Sequence, residues 1–215
     1  MALYRPKSAQ HSSSKFLGIQ PVGIVEFIDE SGKWDWADIY IRMTMRIDGS
    51  EFERAMKVAG SLDRDHENNI TGGSVLNRMY RVFDVIGCRA GVTVQGNWED
   101  HDGKAIKNIE KYLNDNFVHT GTFPDDTPKF EYLAYIYKKK PNKPGGKVYE
   151  EIWPILAPNT VAGKRKLTEE IHFVKKKGHV KEATLDDIPS SNGTVDATAG
   201  TTDASQLEVA GVETL

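Results

Sequence analysis

Two clusters in this chain set aromatic rings among cations. The first is Tyr40, Arg42 and Arg46 in the stretch IYIRMTMRI. The second is Tyr135 and Tyr137, followed at once by Lys138, Lys139 and Lys140, with Lys147 farther along the same loop. In an extended strand the side chains at i and i+2 share a face, so Tyr40, Arg42 and Arg46 project together, as do Tyr135 and Tyr137. Such rings stack on unpaired bases, each base worth about 1 to 3 kcal/mol whatever its identity, while neighbouring cations follow the phosphates. These residues are therefore the candidate contacts for a single-stranded nucleic acid. The competing reading is structural. A half-solvated sheet carries the same pattern, and the tyrosines could be core while the lysines blunt a sheet edge.

Bond-making chemistry finds less support. Neither a Gly-x-Ser-x-Gly elbow nor a dinucleotide fingerprint occurs, and the histidines lack a ligand spacing such as His-Glu-x-x-His. Thr71-Gly72-Gly73-Ser74 lacks the Gly-Lys-Ser/Thr of a phosphate-binding loop and reads as a loop and helix cap. If Gly103 held the sixth position of a calcium loop, Trp98 would stand at the first ligand and Ile109 at the last, so NWEDHDGK reads as a solvated turn. The single cysteine, Cys88, follows an apolar helix and reads as a small buried hydrophobe; alone it forms no internal disulfide, which fits a reducing compartment. No cofactor or resident metal is expected.

The first cluster belongs to a β-hairpin within residues 36–58. Asp48-Gly49 suits a two-residue turn. Counting outward pairs Met45 with Phe52, Ile41 with Met56 and Ile39 with Val58 on an apolar face, and Arg46 with Glu51, Thr44 with Glu53 and Tyr40 with Lys57 on a polar one. Only Met43 opposite Arg54 breaks the pattern. GIQPVGIVEFIDE supplies a preceding strand, which makes an antiparallel meander. A helix begins near Ser74, with Leu76, Met79, Phe83 and Ile86 on a stripe widened by Val75 and Val82, and Gly87 stops it. AGVTVQGNW is a short extended segment, and GKAIKNIEKYLND a second helix with Ile106, Ile109 and Leu113 on one face. The second cluster lies on two later strands, KFEYLAYIYKKK and GKVYEEIWPILAPN, joined by a lysine-rich loop.

The net charge of -3 conceals a segregation. Residues 138–181 carry twelve lysines and arginines against four glutamates, whereas 183–215 carry six acidic residues and no lysine or arginine. A basic stretch implies a polyanionic partner, and an acidic tail on the same chain can compete for that surface. No apolar run approaches the roughly 20 residues of a spanning helix, and the N-terminus lacks the apolar core of a signal peptide, so no membrane role is expected. The chain divides into a flexible arm (1–15), a sheet-rich nucleic-acid-binding domain (16–160), a basic extension (161–182) with a helix over Leu167 to Val174, and an acidic disordered tail (183–215).

The segment IGCRAGVTVQGNWEDHDGKAIKNIEKYLND, the late hairpin YLAYIYKKKPNKPGGKVYEEIWPIL and the tail together resemble the single-stranded DNA-binding proteins of tailed bacteriophages. The likeness is one of layout over residues 20–160. It implies an OB-fold, a non-enzymatic role in phage DNA replication and recombination in the cytoplasm of the bacterial host, and a tail that recruits replication or recombination proteins. The chain departs from the best-known members by ending in Leu215 after sparse acids rather than in an aromatic residue after a dense acidic run. The expected fold is mainly β with two helices (α+β), an OB-like antiparallel barrel binding single-stranded DNA without strong sequence preference. Two other classes fit less of the pattern. A phage metal-dependent nuclease would need clustered carboxylates, and a virion or scaffold protein would use the same hairpins for assembly.

Overall fold

The computed structural model describes residues 16–119, 128–143 and 146–184. The expected arm, and the acidic tail beyond Thr184, lie outside the described residues. Three strands come first: β1 (Gly18–Asp29), β2 (Ile39–Ile47) and β3 (Glu53–Gly60). The β2–β3 ladder pairs Ile41 with Val58, Met43 with Met56 and Arg46 with Glu53. That register differs by two residues from the one a two-residue turn would set. The Ser50 N–H donates to the Ile47 carbonyl (2.9 Å), Ser50 Oγ accepts from the Phe52 N–H (3.1 Å) and Gly49 sits at φ 72°, so Asp48 to Glu51 all remain in the loop. A slip of two preserves alternation, and Ile39, Ile41, Met43, Met45, Ile47, Met56 and Val58 all stay buried. Phe52, expected opposite Met45, lies instead in solvent.

Two short strands, β4 (Asp63–Arg64) and β5 (Ile70–Gly72), lead into α1 (Ser74–Ile86). The helix buries Val75, Met79, Val82, Phe83 and Ile86 and ends where expected. Gly87 is left-handed (φ 78°) and the Cys88 N–H returns to the Phe83 carbonyl. Burial pushes the Cys88 thiol up to about 11, as befits a small hydrophobe and not a nucleophile. A two-strand ribbon, β6 (Gly91–Val92) and β7 (Trp98–Glu99), precedes α2 (Ile109–Phe117). This helix starts later than Ile106 because Asn108 caps it, its side chain accepting from the Lys111 N–H (2.8 Å). Asn114 then bonds both backbone groups of Phe27 at 2.8 Å each, fastening α2 along β1.

The last strands are β8 (Tyr132–Lys139) and β9 (Tyr149–Pro158), followed by α3 (Val161–Lys176). The main sheet has the order β3-β2-β1-β8-β9 with every neighbour antiparallel. β1 serves both halves, pairing Gly18 to Val22 with β8 and Val22 to Asp29 with β2 across a bulge at Val25. The expected OB-like barrel does not close, and the described residues hold, besides the two helices expected within the domain, a third, α3, in the basic extension. The edge strands β3 and β9 come alongside each other but share no backbone ladder; α1 packs against both, and Arg54 meets Glu150 (3.2 Å) across the seam.

Two cores result. The inner one joins the concave side of the sheet to α1 and α2. The outer one is built from Leu133, Tyr135, Tyr137, Ile155 and Ala157 beneath Leu167, Ile171 and Val174 of α3. The basic segment after residue 160 is therefore helical from Val161, well before Leu167, and its apolar stripe covers the outside of β8 and β9. Among the described residues, no helix is long and apolar enough to cross a membrane.

Candidate nucleic-acid interface

The outward face of β2 carries Tyr40, Arg42, Thr44 and Arg46, as their alternation with the buried isoleucines and methionines requires. The β1–β2 connection folds back over its upper end. Gly32 at φ 79° turns it, the Ser31 side chain accepts from the Tyr40 N–H (2.9 Å), and the Ala37 N–H donates to the Trp34 carbonyl (3.0 Å). Trp34 consequently stacks on Tyr40 (centroids 6.2 Å, planes 30° apart), and Trp36 meets the same ring edge-on (5.9 Å, 67°). Tyr40 is buried by this pair, while Trp34 and Trp36 remain 44% and 59% exposed. Exposed tryptophans held by a third ring form a platform whose outer faces are open and whose geometry is already fixed.

Cations follow directly. Arg42 lies opposite Lys57 on β3, and Arg46 opposite Glu53. Carboxylates are interleaved with them. Glu30 takes Lys33 at 2.9 Å and Arg42 at 3.8 Å, and Glu53 takes Arg46 at 3.0 Å. The Lys33 ammonium holds the Glu30 carboxyl below the usual carboxylate range, with Arg42 and Lys57 adding to it. Surface pairs of this kind are weak, so a phosphate can exchange for either carboxylate at small cost.

Comparison with protein-family models, with curated proteins and with solved structures finds no match.

The second expected cluster is divided by the fold. Tyr135 and Tyr137 do share a side of β8 and are parallel (6.0 Å, 4°), but they are only 7% and 5% exposed. Leu167, Ile171 and Val174 lie over them, Tyr137 meets Trp153 edge-on (6.2 Å), and the phenol oxygens donate to Glu182 and Glu151. The open stacking platform expected at these two residues is thus absent from this arrangement, because α3 occupies their faces. Lys138 and Lys139 are half-buried at the end of β8, with Lys139 paired to Glu151 (3.0 Å); Lys140 and Lys147 are exposed. These lysines extend past Gly18 at the start of β1, whereas Trp34 and Trp36 follow its end, so the sheet keeps the two clusters apart.

Trp34 and Trp36 were not among the candidates drawn from the sequence. The available signal was two tryptophans within GKWDWAD, a polar connection with no apolar periodicity to bury them. For metals, the described residues offer one grouping, Asp100, His101 and Asp102. Asp100 Oδ1 already accepts from the backbone N–H groups of Asp102 (3.0 Å) and Lys104 (2.9 Å), which hold its carboxyl below the usual range, so the grouping reads as the turn expected there.

Proposed function

We propose that this protein binds single-stranded DNA without strong sequence preference and supports phage DNA replication and recombination. The observation that carries the reading is the Trp34–Trp36–Tyr40 cluster, two open indole faces fixed on a third ring beside Arg42 and Lys57. Unpaired bases need flat apolar surfaces, and their phosphates need cations a few ångströms away; this face supplies both and favours no particular base. From Tyr40 to Arg46 the strand runs roughly 20 Å at about 3.3 Å per residue, room for several nucleotides.

The sheet supports the same reading. OB-folds are five-stranded, partly open barrels that bind oligonucleotides on the face of their second and third strands and on the adjoining loops. Here a meander, a helix and two further strands give the order β3-β2-β1-β8-β9 with its opening between β3 and β9, and the tryptophans sit in the loop entering β2. On this reading the protein works in the cytoplasm of the bacterial host, and residues 183–215 recruit replication or recombination proteins. Titrating oligo-dT while following tryptophan fluorescence tests the binding reading. Stacking on Trp34 and Trp36 should quench emission, and Trp34→Ala with Trp36→Ala should remove most of that quench.

A further inference from the structure

We infer that the bound strand continues from the tryptophan face, past the open seam, onto a basic cap formed by the C-terminal end of α3, the chain through Lys181 that leaves it, and Lys147 and Tyr149 at the start of β9. The inference rests on the single-strand reading above and extends the surface it uses. Its basis is a backbone link between segments distant in sequence. Beyond its pairing with β1, the free side of β8 takes up the chain that leaves α3: Lys139 bridges Glu182, the Lys140 N–H donates to the Lys181 carbonyl (2.8 Å) and the Ala183 N–H donates to the Lys138 carbonyl (2.8 Å). Lys175 is drawn in as well, pairing with Glu182 (3.0 Å) and lying over the Tyr135 ring (4.8 Å). The two basic runs of the sequence thereby become one surface.

Its carboxylates are already committed. Glu182 serves Lys175 and Tyr135, Glu151 serves Lys139 and Tyr137, Glu169 serves Arg165, and Glu170 serves Arg81. Lys147, Lys176, Lys177 and Lys181 are exposed with no carboxylate on them among the described residues. Aromatic surface is present too. Tyr149, 63% exposed, lies opposite Lys139 on β9, and Phe173, 56% exposed, has Lys177 over its ring (5.7 Å). A ring among uncompensated cations favours a chain of phosphates and bases over a plain acidic peptide, which would leave the rings unused.

The two surfaces come near each other at the seam between β3 and β9. Arg46 lies opposite Glu53 at the far end of β2; the next residue, Arg54, bridges the seam to Glu150; and the residue before that is Tyr149. An oligomer long enough to leave the Trp34–Arg46 face would meet the cap next.

Length dependence tests this on the full chain, with Lys176→Ala/Lys177→Ala and with Tyr149→Ala, all at exposed positions. An oligo-dT of about 6 nucleotides should occupy only the first face, and one of about 25 should reach both, given that single OB modules cover roughly 4 to 16 nucleotides. For the long oligomer the double lysine variant should lower the log–log salt slope by about 1.4, since each phosphate contact contributes about 0.7. Tyr149→Ala should weaken it about tenfold. Binding of the short oligomer should be unchanged in both variants. If the wild type binds both oligomers and the variants leave the long oligomer's affinity and slope untouched, the cap is wrong and the first face stands. If the wild type binds neither, the single-strand reading itself falls, and the cap with it.

Discussion

Trp34 lies stacked against Tyr40, ring centroids 6.2 Å apart, with Tyr40 buried and Trp34 open to solvent. The two rings therefore have different tasks. Tyr40 fixes the platform, and Trp34, with Trp36 beside it, presents the free face. Trp34→Ala or Trp36→Ala should each weaken binding of oligo-dT by about 1 to 3 kcal/mol. Because both lie at the surface and only cover Tyr40, the melting temperature should fall less than in Tyr40→Ala. Tyr40→Ala should lower binding and stability together. Parallel titrations and thermal melts on the three variants separate these outcomes.

Arg42 and Lys57 face each other across β2 and β3, so each can follow a phosphate beside the platform. Replacing either with Ala should reduce the log–log salt slope of binding by about 0.7, because one fewer counterion set is released. Affinity at low salt should fall, and the gap from wild type should narrow as salt rises. Titrations at several ionic strengths read both effects.

Tyr135 and Tyr137 should behave as core. Truncating either to Ala removes a ring from beneath α3 and should cost stability on the order of the 3 to 5 kcal/mol typical of large aromatic truncations. Denaturant unfolding measures it. Loss of oligo-dT affinity in a variant with undiminished stability would return these residues to the binding surface.

The same pair gives the fold an alkaline limit. Burial raises the Tyr135 and Tyr137 phenols above their ordinary range, and their partners Glu182 and Glu151 raise them further. The folded state then holds each proton to higher pH than the unfolded chain, which releases it near pH 10. Their contribution to stability is complete below about pH 10 and is lost as pH climbs towards the folded-state values. Melting temperature should therefore drop above about pH 10, and less steeply in Tyr137→Phe, which cannot ionise.

How far the fold could be read in advance varied with the kind of signal. Helix α1 was legible to its last residue because its apolar stripe, its length and the left-handed Gly87 all agree. The faces of β2 and β3 were legible through alternation. Their register was not, since Asp48-Gly49 advertises a two-residue turn while Ser50 closes a longer one through Ile47 and Phe52. The tyrosines failed for a related reason. YLAYIY is apolar at every position, the mark of a strand covered on both sides, and alternation places Tyr135 and Tyr137 together without saying whether their side is open. The helix that covers them was legible over Leu167 to Val174, but lysines and arginines flank and outnumber its four inward positions, and nothing in the segment says which strands those positions cover. Trp34 and Trp36 lie in a connection, where no periodicity flags a residue, and only their proximity to Tyr40 gives them a role.

The central claim is that open indole faces receive unpaired bases, and one titration meets it directly. Oligo-dT, and a duplex of the same length, are added to the full chain at two salt concentrations while tryptophan emission is followed. The single strand should quench emission and bind more tightly than the duplex at both concentrations, with affinity falling at the higher salt by about 0.7 log units per phosphate contact for each tenfold change. Equal affinity for the two forms, or binding that leaves the emission of Trp34 and Trp36 unaltered, would contradict the claim.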